Sequence, residues 1–344
     1  MLNSFYISNY RILNNFKIEK LSRVNLLTGK NNTGKTTLLE AILLYQNDFS
    51  PELIAFILRK RNGMFGASVK EMQKALKYLR NNFSFTNDSI ENVEVKAGEY
   101  EDPHTFNIVF TSSRNGKGVK INTHKYQKSS PPKMRMMSEG KEVFDLPNNS
   151  QNELKWGNVI IIDSYDFGNN EKFNAYWDNI DGTQTEDELI SALSIITPIE
   201  KFRFVKGESE TKRISTVLKK GDIDRTPLRM MGDGMNRLLQ IILAMLNCKD
   251  GIFLIDEIEN GLHYSVMEKM WEVIFHLSEK LNIQVFATTH SNDVIKSFGS
   301  LLLNETYAER GQILKLKNDG VKIECVDFNL ENIEVAISHD IELR

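Results

Sequence analysis

Leu26–Ile42 reads LLTGKNNTGKTTLLEAI. Within it, Gly29-Lys30-Asn31-Asn32-Thr33-Gly34-Lys35-Thr36 satisfies G-x-x-x-x-G-K-[ST] at every fixed position, after an apolar run and before a helical one. The glycines let backbone N–H groups curl around an anionic phosphate at the positive end of the next helix. Lys35 brings charge to the outer phosphates, and Thr36 offers its hydroxyl to Mg²⁺. Asn31, Asn32, Thr33 and Thr37 complete the nucleotide-binding set. Leu38, Ala41, Ile42 and Tyr45 recur at helical spacing behind the loop. A chance glycine-rich turn would not bring strand, helix and full pattern together.

Outward from this loop, FYI, FKIE and VNLLT read as short strands. Ser50-Pro51 starts a second helix, and Ser68 with Glu71 forms a capping box before MQKALKYL. From Asn81 to about Asn152, strand-like VEVKA, FNIVF and KGVKI alternate with polar loops. NVIIID (158–163) is a buried strand, and Thr185 with Glu188 caps the helix DELISALSII. Further on come a helix at Arg237–Leu246, a strand at 252–255, a helix at Ser265–Leu281 and a strand at 283–289. A final hairpin, LKLKNDGVKIECV, turns at Asn318-Asp319-Gly320. Alternating strands and helices at both ends predict an α/β core that the middle segment interrupts.

Two distant stretches complete the chemistry. In GIFLIDEIENGLH, Ile252–Ile255 is a buried strand with Asp256 at its tip, where open α/β sheets place ligands. Asp256 is expected to hold Mg²⁺ through water and Glu257 to polarise the attacking water, while Glu259 either aids the site or is solvated. In QVFATTHSND, His290 follows a strand tip and would donate to the γ-phosphate, with Ser291 and Asn292 capping the next helix. His104, His263 and His276 lack such context, although His263 sits in a segment that would face a partner subunit. There is no N-K-x-D run for guanine. The ligands expected are therefore ATP and Mg²⁺.

Composition bounds the reading. The 344 residues are 41% hydrophobic and 26% charged with net charge -3, so the chain is no polycation built to coat nucleic acid. Cys248 and Cys325 lack metal-ligand spacing and fit a reducing compartment. The start, MLNSFYISNYR, lacks the apolar run of a signal peptide, and LLQIILAML has about half the length needed to span a bilayer. A cytoplasmic protein without membrane contact is expected.

The order of phosphate loop, long insertion, MMGDGMNRLLQIILAML, FLIDEIENGLH and FATTHS resembles ABC-type ATPases of the RecF, OLD and SMC group. More narrowly it resembles stand-alone ATPase subunits of bacterial anti-phage systems, OLD-like but without a TOPRIM domain. The resemblance implies an α/β phosphate-loop NTPase fold of ABC type, with a mixed central sheet flanked by helices and an inserted α+β segment. The core would span 1–48 and 155–344. Residues 49–154 would form a lid, dimerisation or partner-docking segment. It also implies that Arg11, in ISNYR, lies near the nucleotide, and that a signature segment completes the partner subunit's site. Here that segment is Gly232-Asp233-Gly234-Met235, with Gly232 where the family has serine and Asp233 where it has glycine.

Three functional classes follow. One is an ATPase whose ATP-driven dimer regulates a separately encoded effector, such as a nuclease, in phage defence. The alternative is a RecF- or SMC-like DNA-binding ATPase in repair or maintenance. A nuclease acting alone is disfavoured, because too few residues follow His290 for a further domain of about 100 residues. Asp222 and Asp224 read as solvated hairpin carboxylates. Residues 114–141 carry Arg114, Lys117, Lys120, Lys125, Lys128, Lys133, Arg135 and Lys141 against Glu139. With Tyr126 they form a nucleic-acid strip, a partner surface or a solvated loop.

Overall fold

The computed structural model describes residues 1–62, 90–112, 119–126, 135–136, 157–163, 170–206 and 213–339. Five strands run parallel in its central sheet: β3 (Val24–Thr28), β8 (Val159–Ile162), β12 (Ile252–Ile255), β13 (Gln284–Thr288) and β14 (Gly311–Asn318). A sixth, β15 (Ile323–Phe328), returns antiparallel on β14, giving the order β15-β14-β3-β13-β12-β8. The mixed sheet flanked by helices expected from the sequence is the architecture observed.

These strands are covered on both faces, which is why they read as unbroken apolar runs. Val24, Leu26, Phe253, Ile255 and Val285 face one core; Leu27, Leu254, Phe286 and Leu314 face the other. Burying one such side chain stabilises by roughly 1.5–3 kcal/mol. A one-residue slip would exchange the two faces, so the register is firmly specified.

The first core is covered by α3 (Asn170–Asp178), α4 (Thr185–Ser194), α5 (Asp233–Leu246), α6 (Met267–Lys280), α7 (Asn292–Leu302) and α8 (Leu330–Ser338). Over the second lie α1 (Lys35–Gln46), α2 (Pro51–Asn62) and an antiparallel sheet. That sheet joins β1 (Phe5–Ser8), β2 (Phe16–Ile18), β4 (Ile90–Gly98), β5 (Pro103–Ser112), β6 (Val119–Tyr126) and β7 (Arg135–Met136), in the order β2-β1-β4-β5-β6-β7. A small sheet of β9 (Ile199–Lys206), β10 (Arg213–Lys219) and β11 (Thr226–Pro227) leads into α5.

Several details bear on the expectations. Strands from both sides of residue 48 share one sheet, β1 pairing with β4 in the register Tyr6↔Gly98. The capping box expected from Thr185 and Glu188 does not form: Gln184 opens α4 without a side-chain cap, while in the turn before it Thr183 accepts from the Thr185 N–H at 3.2 Å and Glu186 from the Gly182 N–H at 3.3 Å. The helix at 69–82 lies outside the described residues. Of the basic strip, Lys125 is tied down, pairing with Asp48 at 2.5 Å and lying 5.7 Å from the Phe106 ring centre. Among the described residues no helix is long and apolar enough to cross a membrane.

Candidate active site

Parallel pairing levels the C-terminal tips of β3, β13 and β12, with Leu27 opposite Thr288 and Ala287 opposite Ile255. The loop after β3 and the acids after β12 therefore meet, with His290 just beyond β13. Gly29 has φ +138, and a Cβ there would lie 2.5 Å from the Leu316 carbonyl oxygen. Only glycine fits. Thr33 donates its hydroxyl to the Lys30 carbonyl at 2.9 Å, closing the turn, and Asn31 and Asn32 stand exposed on it. Gly34, in the left-handed region, caps α1 without a side-chain hydrogen bond, and the first turn holds no acid. Its N–H groups and positive dipole end are thus left for an anion. Thr37 is buried behind them.

Lys35 donates to the Gly29 carbonyl at 2.6 Å and the Lys30 carbonyl at 3.1 Å. Burial pushes its ammonium down to about 8, opposed by the charges of Asp256, Glu259 and Glu257. Its Nζ is 3.3 Å from His290 Nδ1. An ammonium only donates, so Nδ1 accepts and the imidazole keeps its proton on Nε2. Burial first, then the Lys35 charge, holds His290 below its usual range, so the ring is a neutral donor at pH 7.

Asp256 is the meeting point. Its Oδ2 accepts from Thr36 Oγ1 at 2.9 Å across 220 residues, and its Oδ1 accepts from Thr288 Oγ1 at 2.5 Å. Thr288 Oγ1 also accepts from the Glu257 N–H at 2.8 Å, holding Glu257 at φ 50. That left-handed backbone is uncommon outside glycine. Asn260 donates to Glu257 Oε2 at 2.8 Å, and Glu259 accepts the His290 N–H at 2.7 Å. Glu259 thus positions the histidine backbone. Thr288 and Asn260 were missed by the sequence reading; the polar pair Thr288-Thr289 ending an apolar strand signalled the first, and nothing local signalled the second.

A hydroxyl and one carboxylate are all-oxygen donors. No group of three or more His, Cys, Asp or Glu able to hold a metal occurs among the described residues. That set suits Mg²⁺, which is held by one or two carboxylates plus substrate phosphates rather than in a protein cage. Thr36 and Asp256 would hold it. With three acids around one lysine, a divalent cation is what lets a triphosphate approach.

Other candidates lie nearby or apart. Arg11 (φ 51) is buried and pairs with Glu40 of α1 at 3.4 Å, one turn beyond Thr36. In the signature segment, Gly232 (φ +100) caps α5, which opens at Asp233, four residues earlier than expected. A Cβ on Gly234 would lie 3.8 Å from the Gly261 carbonyl oxygen. The Met235 side chain is buried in the core, so this position can face a partner only through its backbone. His263 accepts from the Ser265 N–H at 3.4 Å, a local turn role. Asp222 and Asp224 are exposed, as expected.

Comparisons with known proteins agree with this geometry. A family model described as "AAA domain, putative AbiEii toxin, Type IV TA system" matches residues 84–296, and an "AAA ATPase domain" model matches residues 1–156. The chain is 24% identical to a Helicobacter pylori protein named ATP/GTP phosphatase, over 100% of both chains. It is 31% identical over 117 residues to the uncharacterized protein MJECL11 of Methanocaldococcus jannaschii, covering 33% of this chain and 99% of that one. An SMC head, solved bound to the C-winged helix domain of ScpA, superposes with TM-score 0.50 at 12% identity, covering 97% of this chain and 99% of that one. The fold is that of an SMC head-like phosphate-loop ATPase.

Proposed function

The chain belongs to the AAA-domain ATPases whose family model spans residues 84–296, and from that premise we propose that it is a Mg²⁺-dependent ATP hydrolase that regulates a separately encoded effector in phage defence. The observation that carries the enzymatic part is the 2.9 Å bond between Thr36 and Asp256, which joins the phosphate loop to the acidic strand tip. In this reading the N–H groups at the start of α1 and the Lys35 ammonium bind the outer phosphates. Mg²⁺, when bound, neutralises charge on those phosphates. Glu257, aimed by Thr288 and Asn260, orients a water in line with the γ-phosphorus and takes its proton. His290 donates Nε2–H to the γ-phosphate and so reports its presence. The regulatory part is supported by the family resemblance, and by an SMC head of this fold being bound to a partner's winged-helix domain.

Two variants separate binding from chemistry. Lys35→Ala should abolish Mg²⁺-ATP binding in titration calorimetry. Glu257→Gln should bind ATP normally and lose phosphate release by about two to three orders of magnitude, as for a lost general base. Near-normal release by Glu257→Gln would move the base elsewhere. Unchanged affinity in Lys35→Ala would overturn the loop assignment.

A further inference from the structure

Lys35 has all its N–H donors engaged. An ammonium carries three, and its partners are the Gly29 carbonyl at 2.6 Å, the Lys30 carbonyl at 3.1 Å and His290 Nδ1 at 3.3 Å. A phosphate that binds Lys35 must therefore displace one of them. The bond to histidine is the longest of the three and the only one made to a side chain, so it is the one given up.

Glu259 holds the complementary group. Its Oε1 accepts the His290 N–H at 2.7 Å, whereas its Oε2 is buried without a hydrogen-bond partner among the described residues. A buried carboxylate oxygen that lacks a donor is rare and needs a reason. In histidine, Nδ1 is the ring nitrogen nearer the residue's own N–H. A carboxylate that takes this N–H with one oxygen is placed to take an Nδ1–H with the other. The charges around the ring favour the same exchange. Burial first, then Lys35 of α1, press the imidazole toward its neutral form; Glu259, followed by Glu257 and Asp256 beyond β12, press it toward imidazolium. Drawing the Lys35 charge onto a phosphate removes the main opposing charge and brings a ligand of net negative charge beside the ring.

Resting on the ATP-hydrolase reading, we propose that Glu259 is a positioning residue that sets the charge of His290 according to whether nucleotide is bound. In the free chain Lys35 keeps Nδ1 unprotonated. When phosphate draws Lys35 away, Nδ1 takes a proton from solvent and donates in a hydrogen bond to Glu259 Oε2. His290 then meets the γ-phosphate as an imidazolium, and a charge-assisted bond is roughly twice as strong as a neutral one. The proton returns to solvent when phosphate leaves and Lys35 bonds Nδ1 again. Because nucleotide raises the proton affinity of His290, turnover falls as pH rises through the bound-state value.

The test is nitrogen NMR of the full chain labelled at histidine, at about pH 7, with and without Mg²⁺ and a non-hydrolysable ATP analogue; His290→Asn assigns the signal. Wild type should show the Nε2–H tautomer when free and imidazolium when bound. Glu259→Gln discriminates, because its amide oxygen still accepts the His290 N–H while its NH₂ replaces Oε2 and donates to Nδ1. The ring should then stay neutral with analogue bound. Turnover should fall about tenfold with KM nearly unchanged, as for one charge-assisted bond made neutral, and its alkaline decline should vanish. A carboxylate that only braces the backbone would leave the ring's protonation and the pH profile as in wild type. A neutral ring in bound wild type, or an imidazolium in bound Glu259→Gln, would overturn the proposal, and the wild-type arm decides alone if the variant does not fold. If calorimetry shows that wild type binds neither ATP nor the analogue, the ATP-hydrolase reading itself fails.

Discussion

The hydroxyl of Thr288 donates to Asp256 and accepts from the Glu257 N–H, so one side chain positions both the carboxylate that would hold Mg²⁺ and the proposed general base. Thr288→Val keeps the volume and removes both bonds, and an unmet buried polar group costs about 1–3 kcal/mol. Phosphate release should fall at least tenfold and need more Mg²⁺ for half-saturation, with ATP affinity nearly kept; an unchanged Mg²⁺ titration would show that Thr288 only fills space. Lys35 supplies a second test at this scale. Burial holds its ammonium down to about 8, whereas bound phosphates favour the charged form and raise that value. Binding therefore takes up a proton where the pH lies between the free and bound values, and affinity falls as pH rises through about 8. Calorimetry at about pH 8.5 in buffers of different ionisation enthalpy should register the uptake; flat affinity without uptake would mean that the ammonium does not face phosphate. The contiguous pieces here, GKNNTGKT, DE and TTH, were legible because each is a local pattern at a strand end. Thr288's double bond, Asn260's grip on Glu257 and Glu259's on the His290 N–H were not, because each depends on which strand tips lie side by side.

Among the elements, short apolar runs and turn residues told where strands and helices lie, and Ser50 and Ser291 cap α2 and α7 as read. Pairing was another matter. Nothing local in FYIS announces that β1 completes a sheet with a strand beginning at residue 90, since alternation defines a face and not a neighbour. The α4 cap read at Thr185 and Glu188 failed because Thr185 is already the first helical residue, behind Gln184, and its N–H is taken by Thr183. The junction that aims Asp256 is testable at Gly251, just before β12. A Cβ there would lie 2.1 Å from the Asn158 carbonyl oxygen, the group that accepts the Ile252 N–H at 2.9 Å. Gly251→Ala must push β8 and β12 apart, at an expected cost of about 1–3 kcal/mol, the usual range for overpacking. Urea unfolding should show the midpoint shift, and ATP turnover should fall with it because the strand tip moves. An unchanged midpoint would show that the β8 edge yields freely.

At the scale of the whole molecule, the question is whether one chain's surface finishes another chain's site. Gly232, with φ +100 and open space around it, caps α5 without a side-chain hydrogen bond. A Cβ on Gly234 would lie 3.8 Å from the Gly261 carbonyl oxygen, so the signature segment adjoins the stretch after Glu259. Met230 and Tyr264, 72% and 67% exposed, lie at their ends. A helix N-terminus opened by a glycine suits the phosphate of a second copy. Outside the start of α5 itself, no atom comes within 3.8 Å of the Cβ position at Gly234, so Gly234→Arg meets no clash at its Cβ. It should leave ATP binding by the isolated chain intact while blocking ATP-dependent dimerisation and turnover. Mixing it with Lys35→Ala gives the sharper readout, since a mixed dimer has one site lacking both elements and one retaining both. Part of the activity that each variant lacks alone should then return, with dimer formation followed by light scattering. A mixture that forms dimers yet stays inactive would mean that both sites must fire together or that the signature does not act in trans. Normal turnover by Gly234→Arg alone would make this chain a single-subunit switch, because the bulky side chain would then occupy a surface that no second copy uses.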